Sequence, residues 1–514
     1  MKKLPVEKKS QVRNSVLRVL LFLVAALLQL IWLLSFFGSL KDKSVELSTL
    51  LEIVSIVMAL WIYGKDQNTT KQIPWMLLLL TFPIGGIVLY VVFGRNSLLN
   101  KTRKKFAALE EEIYPYLKQD LEVLDQLEKF SPSLAGSAYA TYRSSGYPIY
   151  INSNITYYSD ALDGLEAQMK EMENAKHFIF MEYHAIEDKE AFARMKEILI
   201  RKASQGVDVR LFYDDMGSAA FVNYDFMKQM KQAGIQCRIF NPIMPLLLVF
   251  MNNRDHRKIT VIDGKVGFTG GYNLANEYFH ITHPYGFWKD SGVRITGKAV
   301  NALTLTFLGM WNSVERSDPD FSVYLKARDE KGKGFIQPYA DSPLDNQYVG
   351  ENVYMNIVNA SNDYVYFCTP YLIISDEMKR ALQLAASRGV DVRIITPGIP
   401  DKKLTYQITR SYYNDLVRHG IQIYEYTPGF CHAKMCISDG KVATVGTINL
   451  DYRSLYLNFE NGVYIVDHPI IQEIHSDFDE MFRVSRNVTQ AYLKELSVLV
   501  RTWKAVLRLV SPLF

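Results

Sequence analysis

The stretch that decides the fold is HRKITVIDGKVGFTGGYN at residues 256–273, which returns in altered form as HAKMCISDGKVATVGTIN at residues 432–449. In both copies His, Lys, Asp, Gly and Asn stand at positions 0, 2, 7, 14 and 17. Residues two apart on a β-strand point to the same face, so the His and Lys of each copy are expected to aim into one cleft. A single His-x-Lys would mean little, but two matching copies predict a duplicated functional unit.

The residues around both motifs repeat as well. A strand-like apolar run, a helical stretch and a second strand that begins after a Gly follow one another at 177–181, 191–204 and 206–211, and again at 364–367, 377–387 and 389–394. Strands that alternate with helices predict an α/β fold. We therefore expect two pseudo-symmetric lobes, each a sheet flanked by helices, at 140–325 and 326–490. One active site is expected to draw residues from both lobes.

The paired motif supplies the groups that phosphodiester chemistry needs. The negative charge of a phosphodiester repels nucleophiles, so a site must surround the phosphate with cations and hydrogen-bond donors. Histidine is a nucleophile when neutral and an acid when protonated, and a pair can hold one ring in each state. We expect His256 and His432 to take these two roles. The expected phosphate-binding residues are Lys258, Lys434, Asn273 and Asn449. This chemistry requires neither a metal nor another cofactor.

Four carboxylates are further candidates. A carboxylate behind each imidazole would fix its tautomer and favour the imidazolium. Aligning WKDSGV, which contains Asp290, with NFENGV, which contains Glu460, nominates these two residues for that task, one per lobe. Asp263 and Asp439 belong to the motif and are counted with the catalytic set. Each precedes a Gly, however, so a turn-stabilising role is favoured over direct chemistry for both.

Other histidines and the cysteines carry weaker signals. His280 and His283 lie close in sequence to the first motif, which leaves a substrate-binding role open beside a structural one. The four cysteines are too few and too irregularly spaced for a disulfide framework. Cys431, His432 and Cys436 lack a second pair of ligands and are not expected to hold a metal.

The first hundred residues are predicted to be a membrane anchor. The runs 16–37 and 73–93 are apolar and long enough to cross a bilayer as helices. A third run, 47–63, is a weaker candidate because it contains Glu52. Two or three transmembrane helices are therefore expected within residues 1–100. Basic residues stand on both sides of the spans, and a catalytic region on the cytoplasmic face of the cell membrane is preferred because the cluster after the last span is dense.

Three other segments complete the predicted organisation. A linker helix is expected at 101–139. The apolar run 246–251, ahead of the first motif, suits either a buried core segment or an acyl-chain contact. The C-terminal segment 491–514 is predicted to be an amphipathic helix, which suits either the surface of anionic lipid or packing on its own domain.

Composition excludes some classes of partner. A net charge of +4 on 514 residues is nearly neutral. Proteins that bind nucleic acid usually present a strongly basic face, so no nucleic-acid partner is expected. The sequence does not indicate an oligomeric state.

These residues resemble the paired HKD motifs of the phospholipase D superfamily. With its N-terminal apolar spans, RDHRKI at 254–259, WKD at 288–290 and TPY at 369–371, nearly the whole chain is similar to bacterial cardiolipin synthases. The resemblance implies that His256 attacks the phosphate of one phosphatidylglycerol and releases glycerol, with His432 as the acid and later the base, although the symmetry of the two motifs lets these roles exchange. A second phosphatidylglycerol then takes the phosphatidyl group from the histidine, and the product is cardiolipin.

One departure from the family pattern concerns the residue two places before each motif Asn. The usual Gly-Ser is Gly270-Gly271 in the first copy and Gly446-Thr447 in the second. Because Gly271 has no hydroxyl, the first copy is expected to lack a hydrogen bond to phosphate that Thr447 can make.

Several alternative functions stay open at this level. A phospholipase D that transfers the phosphatidyl group to water and a synthase that uses another alcohol would carry the same motifs. A nuclease also shares the motif pair, but the predicted anchor and the weak bulk charge speak against it. A scaffold that has lost activity is disfavoured because His, Lys and Asn are intact in both copies.

Overall fold

The computed structural model describes residues 31, 35, 45–65, 69–91, 100–222, 224–242, 252–494 and 496–511. The predicted span 16–37 and the apolar run 246–251 therefore lie outside the described residues, except for Ile31 and Ser35.

The first lobe is built on a seven-stranded mixed sheet. The strands of the first lobe are β1 (Ser153–Tyr158), β2 (Phe178–Tyr183), β3 (Asp208–Asp214), β4 (Gln236–Phe240), β5 (Arg254–Asp255), β6 (Lys258–Ile262), β7 (Val266–Gly270), β8 (Phe287–Lys289) and β9 (Gly292–Gly297). The order across the sheet is β1-β9-β7-β6-β2-β3-β4, while β5 and β8 lie outside it. Strands β2, β3 and β4 run parallel to one another, and the other neighbours are antiparallel.

The second lobe repeats this sheet. Its strands are β10 (Phe335–Asp341), β11 (Tyr364–Cys368), β12 (Asp391–Pro397), β13 (Gln422–Tyr426), β14 (Gly429–Cys431), β15 (Met435–Ser438), β16 (Val442–Gly446), β17 (Asn458–Val466) and β18 (Ser485–Asn487). The order β10-β17-β16-β15-β11-β12-β13 matches the first sheet strand for strand, and β18 is added at the edge. The predicted α/β fold with two pseudo-symmetric lobes is therefore confirmed.

Helices cover the sheets. The α-helices of the described residues are Val45–Tyr63, Thr69–Thr81, Pro83–Leu89, Asn100–Ile113, Leu121–Phe130, Pro132–Ser145, Ala161–Glu173, Glu190–Ser204, Asp215–Ser218, Tyr224–Gln232, Val300–Val314, Val349–Ala360, Asp376–Ser387, Lys403–Val417, Tyr452–Tyr456, Ile470–Val484, Thr489–Tyr492 and Val498–Val510.

A shared core joins the two lobes. Helix Val300–Val314 packs on the first sheet and also contacts β10 of the second, while Ile470–Val484 packs on the second sheet and also contacts β1 of the first. One large buried apolar cluster takes residues from both sheets and both of these helices. Burial of apolar surface from both lobes in one core stabilises their docking.

Short strands also cross between the lobes. β5 of the first lobe pairs in parallel with β17 of the second, and β14 of the second lobe pairs in parallel with β8 of the first. Each of these crossing strands leads into one of the motif histidines. The main-chain N–H of His256 donates to Phe459 O at 2.9 Å, and that of His432 donates to Lys289 O at 2.7 Å. The lobe boundary is thus hydrogen-bonded at the two points where the histidines stand.

The segment between the N-terminal region and the first lobe differs from its prediction. In place of one linker helix at 101–139, three helices occupy residues 100–145, separated by a 3-10 turn at Tyr114–Tyr116 and by Ser131. Pro115 and Pro132 have no N–H to continue a preceding helix. Asp120 and Ser131 accept main-chain N–H groups as N-caps and start new helices.

The N-terminal helices also differ from their prediction. The run 73–93 is broken at Phe82, where Thr69–Thr81 ends and Pro83–Leu89 begins. Proline is tolerated in the first turn of a helix, which explains the break. Within the residues that the structure describes, no helix combines the length and apolar character needed to cross a bilayer.

Candidate active site

The two motif histidines lie in one cleft between the lobes. His256 stands between β5 and β6 and His432 between β14 and β15. Their exposed fractions are 8% and 6%. Burial is the largest cause that lowers the pKa values of His256 and His432. The charges of Lys434 and His432 lower the pKa of His256 further, and the charge of Lys258 lowers that of His432. The groups of both motifs therefore act on one another across the boundary.

Each histidine is backed by a carboxylate of the opposite lobe. His256 Nδ1 lies 2.9 Å from both carboxylate oxygens of Glu460. His432 Nδ1 lies 2.7 Å from Asp290 Oδ2. Both carboxylates are almost completely buried. Because Nδ1 of each ring is occupied in this way, Nε2 is the nitrogen left for chemistry in both rings.

The two supporting carboxylates are held by different groups. Thr447 Oγ1 and Asn458 Nδ2 both donate to Glu460. Asp290 Oδ1 instead accepts the main-chain N–H of Ser291 at 2.9 Å. A Cβ placed on Gly271, the counterpart of Thr447, would stand 2.1 Å from Asp290 Oδ1. The difference between Gly271 and Thr447 therefore affects how each supporting carboxylate is held. The Thr447 hydroxyl was expected to bind phosphate, but it donates to Glu460 instead.

Each motif lysine folds back on its histidine. Lys258 Nζ donates to His256 O at 2.5 Å, and Lys434 Nζ donates to His432 O and lies 2.7 Å from His432 Nδ1. Burial lowers the pKa of Lys258 to about 7 and that of Lys434 to about 8, although nearby carboxylates oppose the shift. An anion bound in the cleft would raise both values, because it stabilises the charged ammonium.

The same physics acts on the histidines and their carboxylates. Burial, reinforced by the lysines, lowers the pKa of His256 well below its usual value and that of His432 to about 3. Burial raises the pKa of Glu460 to about 7. Burial alone would raise the pKa of Asp290, but Lys434 and His432 outweigh it and lower the value. Without a bound anion, both imidazoles are therefore neutral near pH 7.

The two motif asparagines are buried beside the histidines. Asn273 Oδ1 accepts the main-chain N–H of Ala185 at 3.1 Å, and Asn273 Nδ2 donates to Tyr278 OH at 2.8 Å. Asn449 Nδ2 lies 3.2 Å from Asp451 Oδ2. Each amide has two N–H groups, so each keeps a donor that a phosphate oxygen can use.

Asp263 and Asp439 stand at the far end of β6 and β15, away from the cleft. Asp263 has a φ of 51° and accepts three main-chain N–H groups, and Asp439, with a φ of 52°, does the same. Asp263 is five residues after Lys258, which places the carboxylate roughly 16 Å along the strand. The geometry favours the turn-stabilising role over direct chemistry for both residues.

An aromatic wall surrounds His432. The rings of Trp288, Tyr278 and Phe430 lie 5.2, 5.3 and 5.7 Å from its imidazole. Trp288 and Tyr278 are 144 and 154 positions from His432, so sequence spacing does not predict their contact with its ring. Phe430 stands two residues before His432, and Trp288 two residues before Asp290, which are the local signals that the sequence offers.

His184 is a further neighbour of His256, and no motif of the sequence points to it. Its ring lies 4.9 Å from that of His256, and its Nδ1 lies 2.7 Å from Asp255 O. Burial, followed by the charge of His256, lowers the pKa of His184 well below its usual value. By contrast, His280 Nε2 lies 2.9 Å from Asp160, and its ring stacks on Phe287. His283 follows in the loop that leads to β8.

Two buried imidazoles, two buried ammonium groups and crossed carboxylates on a duplicated α/β fold define a phosphodiester-transfer enzyme. A family model described as "Cardiolipin synthase, PLD-like domain" matches residues 169–311 and 354–482. The chain belongs to this family of phospholipase D-like cardiolipin synthases. The predicted class of enzyme, a phosphatidyltransferase of the cardiolipin synthase type, is thereby confirmed.

Individual relatives agree with this family. A cardiolipin synthase of Geobacillus kaustophilus is 33% identical over 91% of this chain and 93% of its own length. An uncharacterized protein of Streptococcus mutans is 40% identical over 88% of this chain and 99% of its own length. A second family model, the phospholipase D-nuclease N-terminal region, matches residues 53–95.

One solved structure supports the fold. The phosphatidylserine synthase of Haemophilus influenzae superposes with a TM-score of 0.55 at 15% identity, over 70% of this chain and 95% of the other. At this identity the likeness concerns the architecture alone.

Proposed function

We propose that this enzyme transfers a phosphatidyl group from one phosphatidylglycerol to another through a phosphatidyl-histidine intermediate, with release of glycerol. The single observation that carries the proposal is the crossed pairing of His256 with Glu460 and of His432 with Asp290. This pairing makes the two motifs halves of one site. Each lobe alone holds one histidine, and the carboxylate that contacts this histidine comes from the other lobe.

The first step forms a P–N bond and breaks a P–O bond. Nε2 of His256 attacks the phosphorus of the donor lipid, and the glycerol oxygen leaves with the proton of His432 Nε2–H. Because His432 is neutral in the empty site, the bound phosphate, together with Asp290, must stabilise its protonated form. Lys258, Lys434, Asn273 and Asn449 hold the phosphate oxygens as negative charge builds up on them.

The second step reverses these roles. The neutral His432 takes the proton of a hydroxyl on the headgroup of the second phosphatidylglycerol, and the oxygen attacks phosphorus. The P–N bond breaks, and His256 returns to its neutral form. Each proton that His432 donates in one step is recovered in the other, so no other co-reactant is required.

The assignment of His256 as the nucleophile rests on an asymmetry between the two rings. Glu460 contacts His256 Nδ1, while Lys258 donates to the main-chain oxygen of His256. At His432 the Lys434 ammonium lies 2.7 Å from the same Nδ1 that Asp290 contacts. Glu460 therefore fixes the His256 tautomer that presents a lone pair at Nε2, without competition from the lysine of its own motif.

Transfer to an alcohol is favoured over hydrolysis by the surroundings of the site. Both histidines are buried, and Trp288, Tyr278 and Phe430 surround His432. Exclusion of water by such a wall protects a reactive intermediate from hydrolysis. A lipid alcohol held in the cleft then reaches the phosphorus in preference to water.

Reconstitution in vesicles that contain phosphatidylglycerol as the sole lipid tests the reaction. Cardiolipin and glycerol in equal amounts are expected. Phosphatidic acid as the main product would instead identify a hydrolase, and a requirement for an added alcohol would identify a different acceptor.

The order of the two histidines can be tested with a p-nitrophenyl phosphodiester. Nitrophenolate leaves without needing a proton, so the first step no longer depends on the acid. His432→Ala is expected to release one equivalent of nitrophenolate in a burst and to retain the phosphoryl group covalently. His256→Ala should give no burst, and the opposite pattern would exchange the two roles.

The membrane attachment is part of the same proposal. We infer that residues 1–100 anchor the enzyme in the cell membrane by two or three transmembrane helices, followed by the lobes at 140–325 and 326–490 on the cytoplasmic face. The match of residues 53–95 to the phospholipase D-nuclease N-terminal model and the lipid nature of the substrates support an anchor. Protease digestion of intact spheroplasts should leave the lobes uncut; cleavage within them would place them outside.

A further inference from the structure

The C-terminal helix Val498–Val510 has an unusual orientation on the second lobe. Two of its three basic side chains are turned toward the protein: Arg508 Nη1 lies 2.5 Å from Asp415 Oδ2, and Lys504 Nζ lies 2.5 Å from Asn414 Oδ1. Leu507 is buried with an exposed fraction of 4%. These contacts fix the helix on Lys403–Val417.

Apolar side chains in the first half of this helix point away from the lobe. Leu499 is 83% exposed, Val498 76%, and Trp503 54%. A helix on a soluble surface normally buries its apolar face and presents its charges to water. Here ion pairs and hydrogen bonds hold the polar side against the lobe, and a Trp together with branched aliphatic residues is left outward. Exposed apolar patches of this kind mark an interaction surface.

The exposed face continues onto the N-terminal helices. Helix Val498–Val510 contacts Thr69–Thr81, which itself packs against Val45–Tyr63. Those two helices carry their own exposed apolar residues, namely Leu50, Ile53, Ile56, Val57, Leu60, Trp61, Tyr63, Ile73, Leu77 and Leu80. Both ends of the chain therefore contribute to one apolar surface on the same side of the molecule.

We propose that helix Val498–Val510 lies in the bilayer interface, with its apolar face among phospholipid acyl chains, and that it fixes the lobes against the membrane. The occupant is lipid because this face adjoins the N-terminal region proposed above as the membrane anchor, and the inference rests on that proposed function. The Trp side chain suits the interface, where an apolar ring and a polar N–H are both accommodated. Exposed Arg501, near the start of the helix, lies where it can meet anionic headgroups.

The consequence is a fixed position for the active site. An enzyme attached only by its N-terminal segments could tilt relative to the membrane about that one attachment. A second contact from the other end of the chain restrains that motion and presents the cleft to lipids that stay in the bilayer. Loss of the contact should therefore impair reaction with bilayer lipids more than reaction with a water-soluble phosphodiester.

A depth probe on the full-length enzyme tests this directly. The four native cysteines are buried, so a single added cysteine can be labelled selectively. Leu499→Cys carrying an environment-sensitive fluorophore, in phosphatidylglycerol vesicles, should show a blue shift and quenching by doxyl-labelled lipid. The matched control Gln205→Cys, at an exposed position after helix Glu190–Ser204, should show neither. A water-exposed spectrum at position 499 overturns the proposal, and so does a blue shift without lipid quenching, which would indicate a protein partner or a second copy.

A kinetic test uses Leu499→Glu combined with Trp503→Glu. Cardiolipin formation in vesicles is expected to fall about tenfold, while the nitrophenolate burst in detergent solution stays at the wild-type level and shows that the lobes are folded. The control Gln205→Glu should leave both rates unchanged. Unaltered cardiolipin formation in the double variant contradicts the proposal. The identity of the reaction is tested separately, because it depends on the product that the wild-type enzyme makes.

Discussion

Glu460 and Asp290 perform the same task for different histidines, and the two rings carry different steps. Glu460→Gln is expected to slow both release of nitrophenolate and formation of cardiolipin, since the nucleophile loses its oriented tautomer. Asp290→Asn should slow cardiolipin formation by a comparable factor, on the order of 10²-fold or more, yet spare the nitrophenolate burst. Burst amplitude and rate measure the first step, and steady-state cardiolipin the whole cycle. Equal loss of the burst in both variants would contradict the assigned order.

Gly271 leaves room for the Asp290 carboxylate. A methyl group at this position would stand 2.1 Å from Asp290 Oδ1, so Gly271→Ala must displace that carboxylate and, with it, His432. The variant is therefore expected to reproduce the kinetic pattern of Asp290→Asn. Gly136→Ala is the matched control, because nothing lies within 4 Å of the added methyl group. Wild-type cardiolipin synthesis by Gly271→Ala would show that the position of Asp290 does not limit the reaction.

The charge state of the empty site predicts its pH dependence. The phosphate must meet ammonium groups, and those of Lys258 and Lys434 are lost as pH rises through pKa values of about 7 and 8. The Glu460 carboxylate, with a pKa of about 7, is lost as pH falls. A narrow bell-shaped dependence of kcat/KM on pH, with its maximum just above pH 7, is expected. The apparent pKa values of its two limbs describe the coupled groups together and not single residues.

Replacement of one lysine separates the two limbs of this bell. Lys258 has the lower of the two lysine pKa values and loses its charge first as pH rises. Lys258→Arg keeps that charge at high pH, so its alkaline limb should move upward, toward the pKa of about 8 of Lys434, even where the maximum rate is lower. An alkaline limb unchanged in this variant would assign it to another group.

At the scale of the elements, Asp263 fixes the turn between β6 and β7 to the start of β2. Its carboxylate accepts the N–H groups of Lys176, His177 and Phe178. Asp263→Ala leaves these donors without a partner and places Ala at a positive φ, so the free energy of unfolding should fall by roughly 2–4 kcal/mol. Asp263→Asn, which keeps one acceptor and tolerates this conformation, should lose less.

The measurements that separate stability from catalysis are a thermal melt in detergent and kcat of the folded fraction. The structural role predicts a lower Tm with kcat close to wild type. A large loss of kcat at unchanged Tm would instead indicate that Asp263 takes a direct part in the reaction.

The elements also show what the sequence could and could not reveal. The repeat of strand, helix and strand around 206–211 and 389–394 predicts both sheets, because local periodicity determines them. The alignment of Asp290 with Glu460 identifies the supporting carboxylates but not their crossing, since the pairing of β8 with β14 and of β5 with β17 arises only when the lobes dock. The single helix predicted at 101–139 is wrong for a local reason: Asp120 and Ser131 cap new helices within a segment whose other residues favour one continuous helix.

At the scale of the whole molecule, one chain holds one complete site. The two lobes of one chain are held together by a shared core, which includes helices Val300–Val314 and Ile470–Val484, and by the strand pairs that cross the boundary. Exchange of lobes between two chains would require this core to open, which costs far more than thermal energy supplies. The two halves of the site are therefore expected to work only in cis.

Mixing two inactive variants tests this expectation. His256→Ala and His432→Ala, co-expressed in one cell so that both chains fold together and then reconstituted in the same vesicles, should give no cardiolipin beyond the sum of the two alone, because every site in the mixture lacks one histidine. A single chain that carries both wild-type histidines, diluted to the same total amount, provides the reference rate. Recovery of up to a quarter or half of that reference would mean that histidines from two chains meet in one site, and the lobes would then have to be exchanged between copies. The absence of recovery, with both variants folded by their thermal melts, places the nucleophile and the acid in the same chain.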